Sequence, residues 1–377
     1  MKIIKSFDKE MKRVNLDCRI KALQGLMNHY GVDISFYMSM ILAKSVTFHY
    51  GKIDFDGFPA SDVPFAFGSR AHVEEKFFES LGIEHKVESI DDSDASWEQM
   101  KRLIDNETPL LVKLDGNFVN RLSSDHKPDE QGIKLGYLST MLLVGYLEND
   151  KKYVALTEFV ENERIVPFEL EKFQKARNSV CLPYLPKFIC MYLDKEIDSK
   201  KLSEEVMKKT LESLKTATQI MLDPTSVKDY LVDDIIEEGF AYKNIQNGIP
   251  AMKQMHQDLK NVLAIYESFN EKILILIAQL LRSNLSLGGS SSFRLEFGEA
   301  LKELGVKLNK DEFGAIGDEF ITHSQIWKKF VFNLRDMARS TNPKECLQNA
   351  VEIFDTVINN EEQLFIKLSN FLIALKL

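Results

Sequence analysis

A chain of 377 residues carrying 48 basic and 57 acidic side chains, with a formal net charge of -9, is long enough for two hydrophobic cores and is acidic overall. With no clustered basic stripe, that balance excludes a phosphate-tracking nucleic-acid binder. No run reaches the roughly 18 apolar residues of a membrane span, and the stretch from Met1 to Glu10 lacks the apolar core of a signal peptide, so neither nucleic acid nor membrane is an expected partner and the expected location is the cytoplasm.

Helical periodicity marks 18–30 and 34–48, then 70–81 and 94–105, with Gly31 and Gly82 where helix C-caps belong. Short β-like runs follow or intervene: Ile83 to Glu88, Leu110 to Leu114, Met141 to Tyr146, Tyr153 to Leu156 and Phe188 to Leu193. Helices first and a sheet after them predict an α+β fold. From about residue 200 the β signal disappears, and 202–222, 249–283, 293–304, 310–340 and 343–376 read as helices. One boundary is expected in the charged stretch from Asp194 to Ser203, dividing the chain into domains 1–197 and 200–377, the second all-α.

The four cysteines, at 18, 181, 190 and 346, show neither metal-ligand spacing nor the density of a disulfide framework. Cys18 differs from the others by opening an amphipathic run. A thiol in the first turn of a helix meets unpaired backbone N–H groups and the positive end of the helix dipole, and both favour a thiolate. Against this stands the ordinary buried cysteine, one of the most buried residue types. Elsewhere, Gly288 and Gly289 before a helix bearing Arg294 offer N–H donors and a guanidinium to a phosphate, the alternative being a serine-capped turn with Arg294 paired to Glu296 or another acid. Asp115 closes a strand and either caps a loop or binds an amine.

The order of these elements resembles the N-terminal domain of the butirosin biosynthesis H protein family, a papain-like acyltransferase group. The resemblance rests on Cys18 and its leucine-rich helix ending at Tyr30-Gly31, the aromatic stretch from Ala43 to Tyr50, the Leu81-Gly82-Ile83 turn and Trp97. It continues through the strand from Pro109 to Asp115, Gly145-Tyr146, and the Ala176-Arg177-Asn178-Ser179 element. In the helical half, Gly288-Gly289-Ser290-Ser291-Ser292-Phe293-Arg294 and Trp327 resemble the glycine-rich Phe-Arg segment and downstream tryptophan of the domain that commonly follows.

What this resemblance implies is a papain-like fold in which Cys18 accepts an acyl group from a carrier-protein thioester and passes it to an amine. The phosphopantetheine arm of an acyl carrier protein is then the donor, with no bound cofactor and no metal. A histidine takes the thiol proton and an acid orients the imidazole. In this chain the histidine position falls on Ser139 and the acid position near Glu158. His29 lies eleven residues beyond Cys18, roughly 16 Å along a helix axis, too far to touch it. His126, in the loop from Ser123 to Asp129, is the candidate for a relocated base, set against a solvated loop histidine. Two functions follow: an acyltransferase-type protein of peptide or secondary metabolism, or a catalytically silent relative that binds a carrier protein, peptide or small molecule.

Overall fold

The first helix ends as its sequence predicts, with the chain turning through a left-handed Gly31 at φ +78° and a later helix doing the same at Gly82, φ +69°. The computed structural model describes residues 2–7, 17–55, 62–68, 72–119, 138–148, 152–157, 165–180, 186–227, 240–266, 270–337 and 339–375. In chain order the first elements are β1 (Lys2–Ile3), α1 (Cys18–His29), α2 (Phe36–Leu42), β2 (His49–Phe55), β3 (Val63–Phe67), α3 (Val73–Leu81), β4 (Lys86–Glu88) and α4 (Ser93–Asp105). Next come β5 (Leu110–Asp115), α5 (Gly116–Val119), β6 (Leu138–Glu148), β7 (Lys152–Thr157), β8 (Ile165–Glu169), α6 (Leu170–Arg177) and β9 (Cys190–Tyr192). The remainder is α7 (Ser199–Leu222), β10 (Phe240–Asn247), α8 (Gly248–Ala264), α9 (Glu271–Leu285), α10 (Leu287–Ser290), α11 (Arg294–Leu308), α12 (Asp311–Met337) and α13 (Pro343–Ala374). The fold is α+β, with a C-terminal part that is helical apart from β10.

These elements form two compact units that no single cut separates: Met1–Ser39 with Leu81–Val206, and Met40–Ser80 with Met207–Leu377. The expected boundary near 197–200 falls close to one of the junctions. Residues 40–80, expected in the first domain, pack with the C-terminal half because β2 pairs antiparallel with β10.

In the first unit, six strands run antiparallel in the order β4-β9-β5-β6-β7-β8, and β1 joins β6 at its far end. All six residues of β5 are buried, which is why Leu110-Leu111-Val112 reads as a continuous apolar run. Helix α1 packs against β6 and, over a shorter stretch, β5. Its buried residues Ile20, Ala22, Leu23, Leu26 and Met27 leave only a narrow strip of the helix near solvent.

In the second unit, β10-β2-β3 form a small antiparallel sheet, and α11, α12 and α13 pack in succession. Several expectations are corrected here. The predicted helix 34–48 stops at Leu42, since Lys44 takes a left-handed φ of +50° and the β-branched and aromatic run from Val46 to Tyr50 leads into β2. The C-terminal half is not all-α, because β10 is a strand completed by its pairing with β2. The predicted helix 249–283 is two helices, α8 and α9.

Candidate functional site

Cys18 is the first residue of α1 and is partly exposed. Asp17 precedes it in extended conformation and caps the helix, its Oδ1 accepting from the backbone N–H of Arg19 at 2.8 Å and of Ile20 at 3.4 Å. The Arg19 guanidinium folds back on the same carboxylate, Nη2 to Oδ2 at 2.8 Å. This arrangement corrects the expectation of vacant donors at the helix start: two of the N–H groups that would meet a developing oxyanion are held by Asp17. An aspartate just before an amphipathic run is a standard N-cap signal, so the cap was legible in the sequence.

One turn further along, Lys21 is only 5% exposed. It lies three residues from Cys18, on the same side of the helix, and was not among the expected site residues. Its signal is a lysine inside the otherwise apolar Ile20–Leu23 stretch.

Ser139 is buried on β6, the strand against which α1 packs. Antiparallel register sets it opposite Leu114, so both side chains leave the same face of the sheet, while Lys113, Asp115 and Thr140 leave the other. Asp115, 0% exposed, accepts from Ser179 Oγ at 2.6 Å and from the Asn117 backbone N–H at 2.9 Å. These bonds make it the cap of the short α5 rather than an open amine site, and they tie the Arg177–Ser179 element to the end of β5. Arg177 itself is buried, donating to Ser96 Oγ at 2.8 Å and to the Phe188 carbonyl, between the Phe173 and Phe188 rings. Burial lowers its pKa to about 10.

His126 and Glu158 lie outside the described residues, as does Cys181. Of the described histidines of this unit, His29 sits at the far end of α1, hydrogen-bonded to Ser6 at 2.5 Å and stacked on Phe7, and burial lowers its pKa. His85 immediately precedes β4. In the second unit His49 opens β2, where its Nδ1 meets Asn247 Oδ1 at 2.6 Å, and His72 precedes α3, beside Glu75. Cys190 is a buried thiol whose pKa burial raises to about 11. Among the described residues no group of three or more His, Cys, Asp or Glu side chains is placed to hold a metal ion. No described helix is long and apolar enough to cross a membrane.

The glycine-rich segment of the second unit is not an open anion cradle. Gly288, Gly289, Ser290, Ser292 and Phe293 all adopt positive φ, and a Cβ on Gly288 would stand 2.6 Å from the Phe293 backbone. Arg294 is 0% exposed and so cannot present its guanidinium to a solvent phosphate. Its Nε donates to Glu361 Oε1 at 2.7 Å, and its Nη1 reaches the carbonyls of Gly68 and Ser292 at 3.0 and 2.7 Å. Glu361 Oε2 accepts from His323 Nε2 at 2.7 Å and Trp327 Nε1 at 3.0 Å. Of the motif residues, Arg294 and Trp327 thus converge on Glu361, which the sequence reading missed. Burial works against the Glu361 carboxylate, but the Arg294 charge and the His323 hydrogen bond outweigh it and hold its pKa at about 2.

The stretch around Cys18 has a counterpart among known families. Residues 17–120 match the family described as butirosin biosynthesis protein H, N-terminal. The butirosin-H-type segment begins at the Asp17 cap, includes Cys18, Lys21 and Asp115, and ends just after α5. It takes in residues of both compact units, since 40–80 belong to the second. Ser139, Glu158 and the Gly288–Arg294 segment lie beyond it. No curated protein matches the chain.

Proposed function

We propose that the first unit is an acyltransferase-like module of peptide or secondary metabolism in which Cys18 carries the acyl group. The observation that carries this reading is the placement of a partly exposed thiol as the first residue of a sheet-packed, largely buried helix, at the start of the butirosin-H-type segment. In this reaction the Cys18 thiol loses its proton and attacks the carbonyl of a phosphopantetheine thioester. A bond to Cys18 Sγ forms as the bond to the pantetheine sulfur breaks, and the released thiolate takes up a proton. An amine then attacks the Cys18 thioester, an amide bond forms, and the amine proton returns to the departing Cys18 sulfur. The protein binds no cofactor of its own in this scheme; the carrier protein and the amine are substrates.

Incubation with an acyl-pantetheine thioester is expected to add one acyl mass to the chain, mapped by peptide mass spectrometry to Cys18 and abolished in Cys18→Ala. An adduct that survives Cys18→Ala would remove the thioester mechanism.

A second reading has its own observation. The position that the resemblance gives to a catalytic histidine holds the buried Ser139, which favours a silent relative that binds a carrier protein, peptide or small molecule. Ser139→His separates the two. If Cys18 is an acyl carrier, an imidazole restored there speeds iodoacetamide labelling of Cys18 near neutral pH, general-base assistance being worth about 10²–10⁴-fold. Labelling that does not change while ligand affinity falls supports the binding role.

A further inference from the structure

We propose that Ser6 and His29 form a nucleophile–base pair that takes acyl groups from activated esters, a second reactive centre of the first unit that does not depend on Cys18. Each partner is carried by an element fixed to β6. Ser6 stands in a single 3₁₀ turn, Lys5–Phe7, just after β1, which pairs with β6; the Ile4 N–H extends that hold by donating to the Val144 carbonyl at 2.9 Å. Ile4 and Phe7 are buried, while Ser6 between them is exposed. His29 ends α1, the helix packed on the same strand. Ser6 Oγ lies 2.5 Å from His29 Nδ1. The imidazole is held in one plane, because Phe7 stacks on it at 5.7 Å between ring centroids and Tyr30 meets it edge-on at 4.7 Å. The Glu107 backbone also hydrogen-bonds the ring, and a carbonyl can only accept. The ring proton therefore belongs on Nε2, and Nδ1 keeps its lone pair for the Ser6 hydroxyl. Burial favours the neutral, proton-accepting form of His29. A hydroxyl within reach of a base whose tautomer a third group sets is the arrangement that activates a serine. In the reaction Ser6 Oγ attacks the ester carbonyl as its proton passes to His29 Nδ1. The bond to Oγ forms, the bond to the leaving oxygen breaks, and the imidazolium gives its proton to that oxygen. Water then cleaves the acyl-serine by the same route. Activated esters are the expected class because an electron-poor leaving group departs with little help from oxyanion donors.

The test is acetylation of the full chain by p-nitrophenyl acetate near neutral pH, with the acetylated residues and their rates read by peptide mass spectrometry. One acetyl group is expected on Ser6, formed about 10²-fold or more faster in the folded chain than in the chain unfolded in urea. In His29→Gln, Ser6 acetylation is expected to fall by a similar factor while the thermal midpoint shows the chain still folded. Equal Ser6 acetylation in folded His29→Gln and wild type overturns the proposal, as does a folded wild-type chain that acetylates Ser6 no faster than the unfolded one. Should His29→Gln not fold, the comparison of folded with unfolded wild type decides alone, by the same two outcomes. Acetylation confined to Cys18 refutes the Ser6–His29 pair and leaves the Cys18 reading standing, whereas acetylation of Ser6 that persists in Cys18→Ala supports the pair whatever becomes of that reading.

Discussion

Glu361→Gln is expected to lower the stability of the second unit by about 3–5 kcal/mol, read as a fall in the urea midpoint. Every group that meets the Glu361 carboxylate is a donor: Arg294 Nε on one oxygen, His323 Nε2 and Trp327 Nε1 on the other. An amide has one accepting end, so its NH₂ group must face a donor, and the fully buried Arg294 loses its counter-charge. Replacing both charges, as in Arg294→Met with Glu361→Leu, is expected to recover only part of the loss. Apolar side chains relieve the charge, but the carbonyls of Gly68 and Ser292 lose their donor. The same pair sets an acid dependence. The carboxylate is held at about 2, against 4.5 in the unfolded chain, so its contribution is complete above pH 4.5 and is lost as pH falls toward 2, about 3 kcal/mol in all. Glu361→Gln is expected to flatten that part of the stability profile.

The second large effect is expected at the seam between α11 and α12. A Cβ on Gly298 would lie 2.6 Å from the Gly317 carbonyl, and one on Gly317 would lie 2.5 Å from the Gly298 carbonyl. The two helices meet backbone to backbone, and no side-chain rotamer relieves a clash with a carbonyl. Gly298→Val should cost roughly 3 kcal/mol, because the helices must separate and the Phe297–Phe320 edge contact at 4.9 Å opens with them. Gly314 on the same helix α12 serves as the internal control, since its Cβ would meet nothing within 4 Å. Gly314→Ala is expected to raise the thermal midpoint through helix propensity, a gain of up to about 1 kcal/mol. Substitutions of opposite sign, Gly298→Val on α11 and Gly314→Ala on α12, would locate the close approach; equal effects would place it elsewhere.

Much of the first unit is legible in the sequence because its signals are local. The amphipathic run after Cys18 ends at a glycine that turns left-handed, and the apolar Leu110–Leu114 run is a strand buried along its length. The strands missed include β2, β3 and β8, which have partners nearby in the chain, and β10, whose partner is remote. Nothing within Phe240–Asn247 reads as a strand, its Lys243, Asn244 and Asn247 being poor β-formers, and only pairing with β2 fixes it. That pairing, with the reach of Arg294 to the Gly68 carbonyl, also makes the second unit discontinuous, which hydrophobic periodicity along a chain does not reveal. Glu361 had a readable signal: it interrupts the apolar face of α13 formed by Phe354, Val357, Ile358, Leu364 and Phe365. An acid at such a position calls for a buried cation, and the sequence offered Arg294. At the candidate site, the position of Cys18 at a helix start and the Asp17 cap were readable, whereas the burial of Lys21 needed coordinates.

The most direct test of the acyl-carrier role follows the Cys18 adduct through its second half. The chain is loaded from an acyl-pantetheine thioester, freed of donor, and mixed with a primary amine while intact mass and amide product are recorded together. The account predicts that the Cys18-linked acyl mass disappears at the rate at which amide appears, one for one, and that neither is seen with Cys18→Ala. Amide formed with no Cys18 adduct, or an adduct that remains intact in the presence of amine, would contradict it.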